Sequence, residues 1–355
     1  MKIYGVDTLE LNIEISSYDF QLEEFLELLE ESKQRAQSEH DEVLIQLGEI
    51  KFVVKPKGQG IYSYKLECED FHICFMKEKI KNSAPIRVRF ISSFLWRYNY
   101  QKAYEKFEEW FENTFETIIL TNQISRLDIC CDIDEIEFYA SDSKKIITRA
   151  KKKEIMNVDS ENYYGKIFSG FTIGKGSDLM CRIYNKTLEI KKSNKLWFEE
   201  LWKQYGWNGE VVWRIEFQAR RKVLKEFYIE KVKDIGEKIE RLWAYYTKEW
   251  CTLRSNSKDK NSSRWKVSKK WEKIQKISID YEIEPLSREK IKRGDEEKLL
   301  NLCIGSFTSL SAIKNFNNPE EACKYLIERM ENRNRKKDTS YKDEVEKKKN
   351  RYIKG

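Results

Sequence analysis

Polar and apolar residues alternate with period two along much of the first 220 positions, and stretches of helical period break the alternation. "DTLELNIEIS" reads as a strand. "LEEFLELLEESKQRAQ" reads as an amphipathic helix with Leu22, Phe25, Leu26 and Leu29 on one stripe. "EIKFVVK", "GIYSYKLEC", "FHICFMK" and "PIRVRFISS" then make a meander of four strands, with Gly58 and Gly60 marking a turn. A long helix, "YQKAYEKFEEWFENTF", leads into the strand "ISRLDICCDID". The order repeats loosely in a second half: a helix near "SDSKKIITRAKK", strands "GKIFSGFTIG" and "LMCRIYN", a helical stretch "NKLWFEELWKQYG" and a strand "EVVWRIEFQARR". Beyond Lys222 the period is helical, first in "VLKEFYIEKVKDIGEKIERLWAYYTKEW", then in "SSRWKVSKKWEKIQK", "EEKLLNLCIGSFTSLSAIKN" and "PEEACKYLIERMENRNRKK".

This layout predicts the α+β class: a large, mostly antiparallel, pseudo-duplicated sheet with helices packed on one face, followed by a helical C-terminal region. The expected divisions are a sheet-based domain over 1–222, a helical region over 223–335 and a basic flexible tail over 336–355. From Glu331 onward 10 Lys/Arg stand against 5 Asp/Glu, without a strong apolar period.

Three strands divide their residues in the same way. In "SRLDICCDID", Leu127, Ile129, Cys131 and Ile133 form an apolar face and leave Arg126, Asp128, Cys130, Asp132 and Asp134 on the other. In "LMCRIYNK", Leu179, Cys181 and Ile183 oppose Met180, Arg182, Tyr184 and Lys186. In "VVWRIEFQARR", Val211, Trp213, Ile215, Phe217 and Ala219 oppose Arg214, Glu216, Gln218 and Arg220. If the three are neighbours with their apolar faces under the helices, then Asp128, Glu216 and Tyr184 gather on an open face with Arg126, Arg182, Arg214 and Lys186. Arg87 and Arg89 of "PIRVRFISS" join by the same alternation. A sheet laced with cross-strand ion pairs produces the same pattern.

Composition narrows the chemistry. The 355 residues are 40% apolar and 36% charged, as in a soluble globular protein. No apolar run approaches the roughly 20 residues of a membrane span, and the N-terminus carries an acidic strand where a signal peptide has an apolar core. No membrane association and a cytoplasmic location are expected. The eight cysteines form no CxxC pair and read as buried thiols. His40 and His72, the two histidines, lie far apart and leave little for a histidine triad or a His-rich metal cluster. Hydrolytic or transfer chemistry therefore falls to carboxylates, tyrosine and basic groups. The net charge of +7 is unevenly spread, with −7 in residues 1–60 and +14 in the remainder, which favours a polyanionic partner.

Two carboxylates on adjacent strands make an oxygen-rich site suited to Mg²⁺ or Mn²⁺, which keep waters and substrate phosphate oxygens in their shells. A neighbouring tyrosine hydroxyl can attack a phosphodiester when cations neutralise the charge developing on phosphate. The product is a phosphotyrosine linkage to one DNA end with a free 3′ hydroxyl, and the linkage conserves the energy of the broken bond.

The elements "ISRLDICCDID", "FTIGKGSDLMCRIYNK", "WRIEFQARR" and "DKNSSRWKVSKKWEKI", in that order between Ile124 and Ile274, resemble those of the replication initiation factors of rolling-circle plasmids. Relaxases of integrative conjugative elements and initiators of some filamentous phages are related to that family. The resemblance implies a domain akin to the endonucleases that hold metal with a histidine pair, with acidic residues in that role. It implies Tyr184 as nicking nucleophile, Asp128 and Glu216 as ligands of Mg²⁺ or Mn²⁺, and Lys186 and Arg182 as phosphate-neutralising partners. Asp132 and Asp134 stand as alternatives to Asp128, and Tyr163 and Tyr164 as competing nucleophiles. Arg264, Trp265 and Trp271 fall in a region that holds DNA or packs adjacent helices. Single-stranded DNA is expected on the basic strand faces (Arg126, Arg214, Arg87, Arg89) and origin duplex on the later helices. A host helicase and a second copy of the chain complete the expected partners, although no heptad seam specifies a dimer. Conjugative transfer would use the same chemistry, and a DNA-binding regulator that keeps the fold without cutting is the alternative.

Overall fold

The structure, a computed structural model, describes residues 1–16, 20–38, 42–159, 165–276, 292–293, 296–336, 339–349 and 352–353. His40, Tyr163 and Tyr164 lie outside the described residues. The chain forms two compact units, Met1–Ser287 and Arg288–Gly355.

The first unit is built on one sheet. Its strands are β1 (Lys2–Ile15), β2 (Val43–Leu47), β3 (Ile50–Val54), β4 (Tyr64–Glu67), β5 (Phe71–Phe75), β6 (Ile86–Phe90) and β7 (Ile119–Ile133). After them come β8 (Ile146–Thr148), β9 (Lys153–Asp159), β10 (Lys166–Ile173), β11 (Leu179–Asn185), β12 (Trp213–Arg220) and β13 (Cys251–Leu253). Eleven of these lie in the order β2-β3-β4-β5-β6-β1-β7-β12-β11-β10-β9, while β8 and β13 pair separately. Every neighbouring pair in the large sheet is antiparallel. The long strands β1 and β7 are central. Each is flanked by a strand that returns from its own half, β6 and β12, so the pseudo-duplication is a duplication of topology.

Alternation decides which face is buried. Leu9, Leu11, Leu127, Cys131, Ile183, Ile215 and Phe217 are all essentially inaccessible on one face. Helices α1 (Phe20–Ser38) and α2 (Ser92–Phe115) cover the first half of that face. Phe107 meets Phe71 edge-on at 5.1 Å, and Phe25 meets Phe75 at the same distance. Helix α2 is interrupted at Asn99, whose φ is 61° and whose Oδ1 accepts the Gln101 and Lys102 amides at 3.0 and 3.1 Å, capping the longer segment.

Two short helices, α3 (Lys186–Lys192) and α4 (Trp197–Gln204), follow β11 and lie on the other face. Ile190, Phe198 and Trp202 pack there with Ile3 and Val212 in a second, smaller core. That face is therefore open over part of its area and roofed over the rest.

Four expectations change. The single long helix over 223–250 is broken into α5 (Arg221–Lys225), α6 (Lys233–Gly236) and α7 (Ile239–Ala244), the last running on as a π turn, Tyr245–Trp250. Between them the chain extends along β7: Ile124 N donates to Glu230 O at 2.8 Å, and Val232 N to Asn122 Oδ1 at 3.1 Å. Nor does a domain end at 222. Trp243 and Tyr246 pack on Phe217 of β12, and α8 (Lys269–Gln275) sends Trp271 and Ile274 into the same core. The helix near "SDSKKIITRAKK" is a 3₁₀ turn, Ala140–Lys145, leading into β8, because Ile146 is drawn into the core and pairs with Leu253. The fourth change is in the tail, where Tyr341–Lys349 forms a helix started by reciprocal Ser340 and Asp343 bonds.

The second unit consists of α9 (Glu296–Lys314), α10 (Pro319–Lys336) and α11 (Tyr341–Lys349), with Lys292–Arg293 and Tyr352–Ile353 paired in parallel. Arg333, Arg335 and Lys336 sit in the last turn of α10, where the helix dipole favours cations. Among the described residues no helix is long and apolar enough to cross a membrane.

Candidate active site

The order β7-β12-β11 makes the three patterned strands neighbours, and the register sets the spacing of their polar residues. Asp128 lies opposite Gln218 and Glu216 opposite Cys130, so the two carboxylates are diagonal neighbours on one face. Arg182 is directly opposite Glu216, and Tyr184 is opposite Arg214. The tyrosine can approach because its partner on β10 is Gly170, with φ 148°. A Cβ at Gly170 would stand 2.0 Å from the Ile183 carbonyl oxygen and 2.7 Å from Tyr184 Cα. Gly170→Ala is accordingly expected to cost about 3 kcal/mol. A urea midpoint that does not move would contradict this close approach.

Tyr184 is half-buried, and its hydroxyl donates to Glu216 Oε2 at 2.9 Å. The other oxygen of Glu216 takes Nη2 of Arg182 in a short ion pair. Burial, followed by the adjacent Glu216 charge, pushes the Tyr184 phenol well above its ordinary value. Arg182 keeps one donor in reserve, since its Nε is buried with no partner.

Asp128 is fully buried beneath Arg126, which grips it with two bonds, Nε to Oδ1 at 2.9 Å and Nη2 to Oδ2. Burial first, then the Glu216 charge, raise the Asp128 carboxyl to about 7 against the pull of Arg126. A carboxyl raised in the fold costs stability as it ionises, so the cost is absent below about pH 4 and fully present above about pH 7. Asp128→Asn should therefore gain stability over the wild type at pH 8, by of order 1 kcal/mol or more, and gain nothing at pH 4. Denaturation curves at the two pH values decide it; an equal change at both would refute the sign.

The arginine ladder continues outward. Glu10 of β1 pairs with Arg87, with Arg126 at 3.6 Å and with Arg89 at 3.9 Å. Arg89 is half exposed, at 50%, and β6 stands four strand spacings from β11, a span of roughly 19 Å. Glu10 had no place in the sequence pattern of three strands, because its own strand was not among them.

Arg214 and Lys186 are not on an open face as alternation alone predicts. Arg214 is wholly inaccessible: Nε and Nη2 bond to Asp132 at 2.6 and 2.8 Å, and Nη1 bonds to Asp7 at 2.5 Å. Trp202 of α4 closes the group from above, its indole donating to Asp132 Oδ2 at 2.9 Å. The Lys186 ammonium is buried 4.4 Å from the Phe198 ring centre and 5.7 Å from that of Tyr184, and pairs with Glu189. Burial, then the Arg214 charge, lower its proton affinity. Asp132 is thus committed to Arg214, and Asp134 accepts from the Met1 amino group at 2.6 Å, as Asp128 is committed to Arg126 and Glu216 to Arg182 and Tyr184. Cys130 is buried, and burial pushes its thiol up. Arg264 is exposed and Trp265 half-buried in the β13–α8 connection, the indole donating to Asp259 O at 2.7 Å. Trp271 packs in the core.

Among the described residues no cluster of three or more His, Cys, Asp and Glu side chains could hold a metal. Asp128 and Glu216 match a small hard cation in donor type only, as two carboxylates on adjacent strands: their oxygens are engaged by Arg126, Arg182 and Tyr184, and the charge of Glu216 opposes ionisation of Asp128.

A cavity of about 570 Å³ opens beside Tyr184, walled by β9, β10 and α3 through residues that include Met156, Ser169, Asn185 and Leu188. Nothing in the sequence pattern marked it, because β9 exposes most of its residues and shows no apolar face.

The sequence matches no protein family and no curated protein. Among solved structures it is similar to the rolling circle replication initiator protein from Geobacillus stearothermophilus, at 17% identity and a TM-score of 0.47 over 81% of this chain and 100% of that one.

Proposed function

We propose that the protein nicks one strand of DNA and stays joined to it through Tyr184, the opening step of rolling-circle replication of a plasmid or other mobile element. The observation that carries the reading is the 2.9 Å bond from the Tyr184 hydroxyl to Glu216 at the wall of an open cavity. A nucleophile and a base are within proton-transfer distance there.

Tyr184 Oη attacks the phosphorus of a phosphodiester. The Oη–P bond forms as the P–O3′ bond breaks, the phenolic proton passes to Glu216, and the leaving 3′ oxygen takes a proton from water. The product is a 5′-phosphotyrosine with a free 3′ hydroxyl to prime synthesis. Arg182, whose side chain is partly exposed beside Glu216, faces the negative charge that builds on the phosphate. The Lys186 ammonium, under the tyrosine ring, favours the phenolate by charge. Mg²⁺ or Mn²⁺, held by Asp128 and Glu216, would supply further charge neutralisation at the phosphate oxygens. Arg126, Arg87 and Arg89 form a track for the strand backbone, and the basic end of α10 is suited to duplex phosphates.

The test is to incubate the full chain and Mg²⁺ or Mn²⁺ with plasmid DNA from its own element, trap detergent-resistant adducts and sequence the linked peptide by mass spectrometry. The expected peptide contains Tyr184. Absence of any adduct in the presence of either metal overturns the proposal.

A further inference from the structure

The cavity beside Tyr184 has the make-up of a binding site rather than of a packing defect. Its walls combine apolar side chains, Met156, Ile167 and Leu188, with two carboxylates, Asp159 and Glu189, the latter paired with Lys186, and with two lysines at the mouth. Lys191 and Lys192 are exposed, and no ion pair involves either among the described residues. The pairing of β10 with β9 shifts register between Phe168 and Gly170, which bulges Ser169 out of the ladder. Ser169 lines the cavity, is only 5% exposed, and its hydroxyl finds no partner in the protein. Asn185 lines it too, with Oδ1 committed to the Leu188 amide at 3.0 Å, so only its NH₂ end can serve a ligand. A buried hydroxyl left unsatisfied and an amide presenting donors ask for a guest with acceptors on its edge.

We propose that this cavity seats one unpaired nucleobase of the DNA strand, next to the phosphate that Tyr184 attacks; the inference rests on the strand-transfer reading above. At about 570 Å³ it lies within the roughly 300–1,000 Å³ of small-ligand sites and exceeds what one base requires. The base slides between the apolar walls, its carbonyl edge meets Ser169 and Asn185, and the flanking phosphates lie on Lys191 and Lys192. A base with carbonyl acceptors, such as thymine, suits these donors. Tyr184 forms part of the same wall, so a seated base fixes which phosphate stands in front of its hydroxyl.

The experiment compares fluorescence anisotropy of the full chain with a labelled dT12 oligonucleotide and with a dodecamer of the same backbone lacking all bases. The wild type is expected to prefer dT12 by about tenfold. Leu188→Trp, which fills the cavity, and Ser169→Ala, which removes its free hydroxyl with little risk to folding, should each reduce that preference to about twofold or less. Lys191→Ala with Lys192→Ala should weaken both oligonucleotides alike. Equal affinities in the wild type, or a preference that survives both cavity variants, overturns the proposal. The adduct assay, run on the same preparation, separates the two readings. Equal affinities with the Tyr184 adduct present dismiss only the base seat, whereas a cavity-dependent preference with no adduct keeps the seat and dismisses strand transfer.

Discussion

Tyr184→Phe is expected to abolish the covalent adduct, a fall of roughly 10⁴-fold or more, while single-strand affinity stays within about twofold of the wild type. The substitution keeps the ring and its contact with Lys186 and deletes only the oxygen that would bond to phosphorus. It also leaves Glu216 Oε2 without its donor, at a cost of about 1–3 kcal/mol, so circular dichroism must show that the variant is folded. Glu216→Gln separates the base from the nucleophile. It keeps the shape of the side chain and should lower the rate by roughly 10²–10⁴-fold without moving the site of attachment. An adduct that persists in the Tyr184 variant, for example on Tyr163 or Tyr164, would transfer the nucleophilic role and undo the assignment.

The parts of this arrangement visible in the sequence are those that strand periodicity controls. Residues alternating in "SRLDICCDID", "LMCRIYN" and "WRIEFQAR" had to share a face once those strands were neighbours, and Asp128, Glu216, Arg182 and Tyr184 do share one. Periodicity says which face a residue takes and nothing about what covers it. Arg214 follows the same rule as Arg126, yet α4, which carries Trp202, roofs the end of the face where Arg214 and Asp132 lie. Lys186 continues the polar alternation on paper, but α3 begins there and carries its ammonium under Phe198. Asp7 and Glu10 entered the polar network because β1, paired with β7, brings residues from the other end of the sequence beside it, a non-local fact that local patterns do not contain. The broken helix after Arg221 has a similar cause. Its apolar residues suit a helix, but the Ile229–Val232 segment gains more from the open backbone of β7 than from its own turns.

Arg214 provides the sharpest contrast between a cation of the fold and a cation of the surface. Arg214→Met should destabilise the first unit by about 3–5 kcal/mol, because it strands the carboxylates of Asp132 and Asp7 in the interior with no counter-charge. Asp132→Asn should be costly for the mirror reason, and the two substitutions together should cost less than their sum by about 0.5–3 kcal/mol, since each removes the partner that the other misses. Arg214→Lys keeps the charge and loses the planar fork that grips both oxygens of Asp132, so it too lowers the unfolding midpoint. Because the guanidinium has no solvent-facing surface, DNA affinity and its salt dependence should be unchanged in whatever fraction of Arg214→Lys remains folded. Arg89→Ala should do the opposite: stability near that of the wild type, with DNA affinity lowered and the slope against log salt reduced by about one phosphate contact. A weakening of DNA binding in Arg214→Lys equal to that in Arg89→Ala, at an unaltered unfolding midpoint, would put Arg214 back on the binding surface and require α4 to lift away from it.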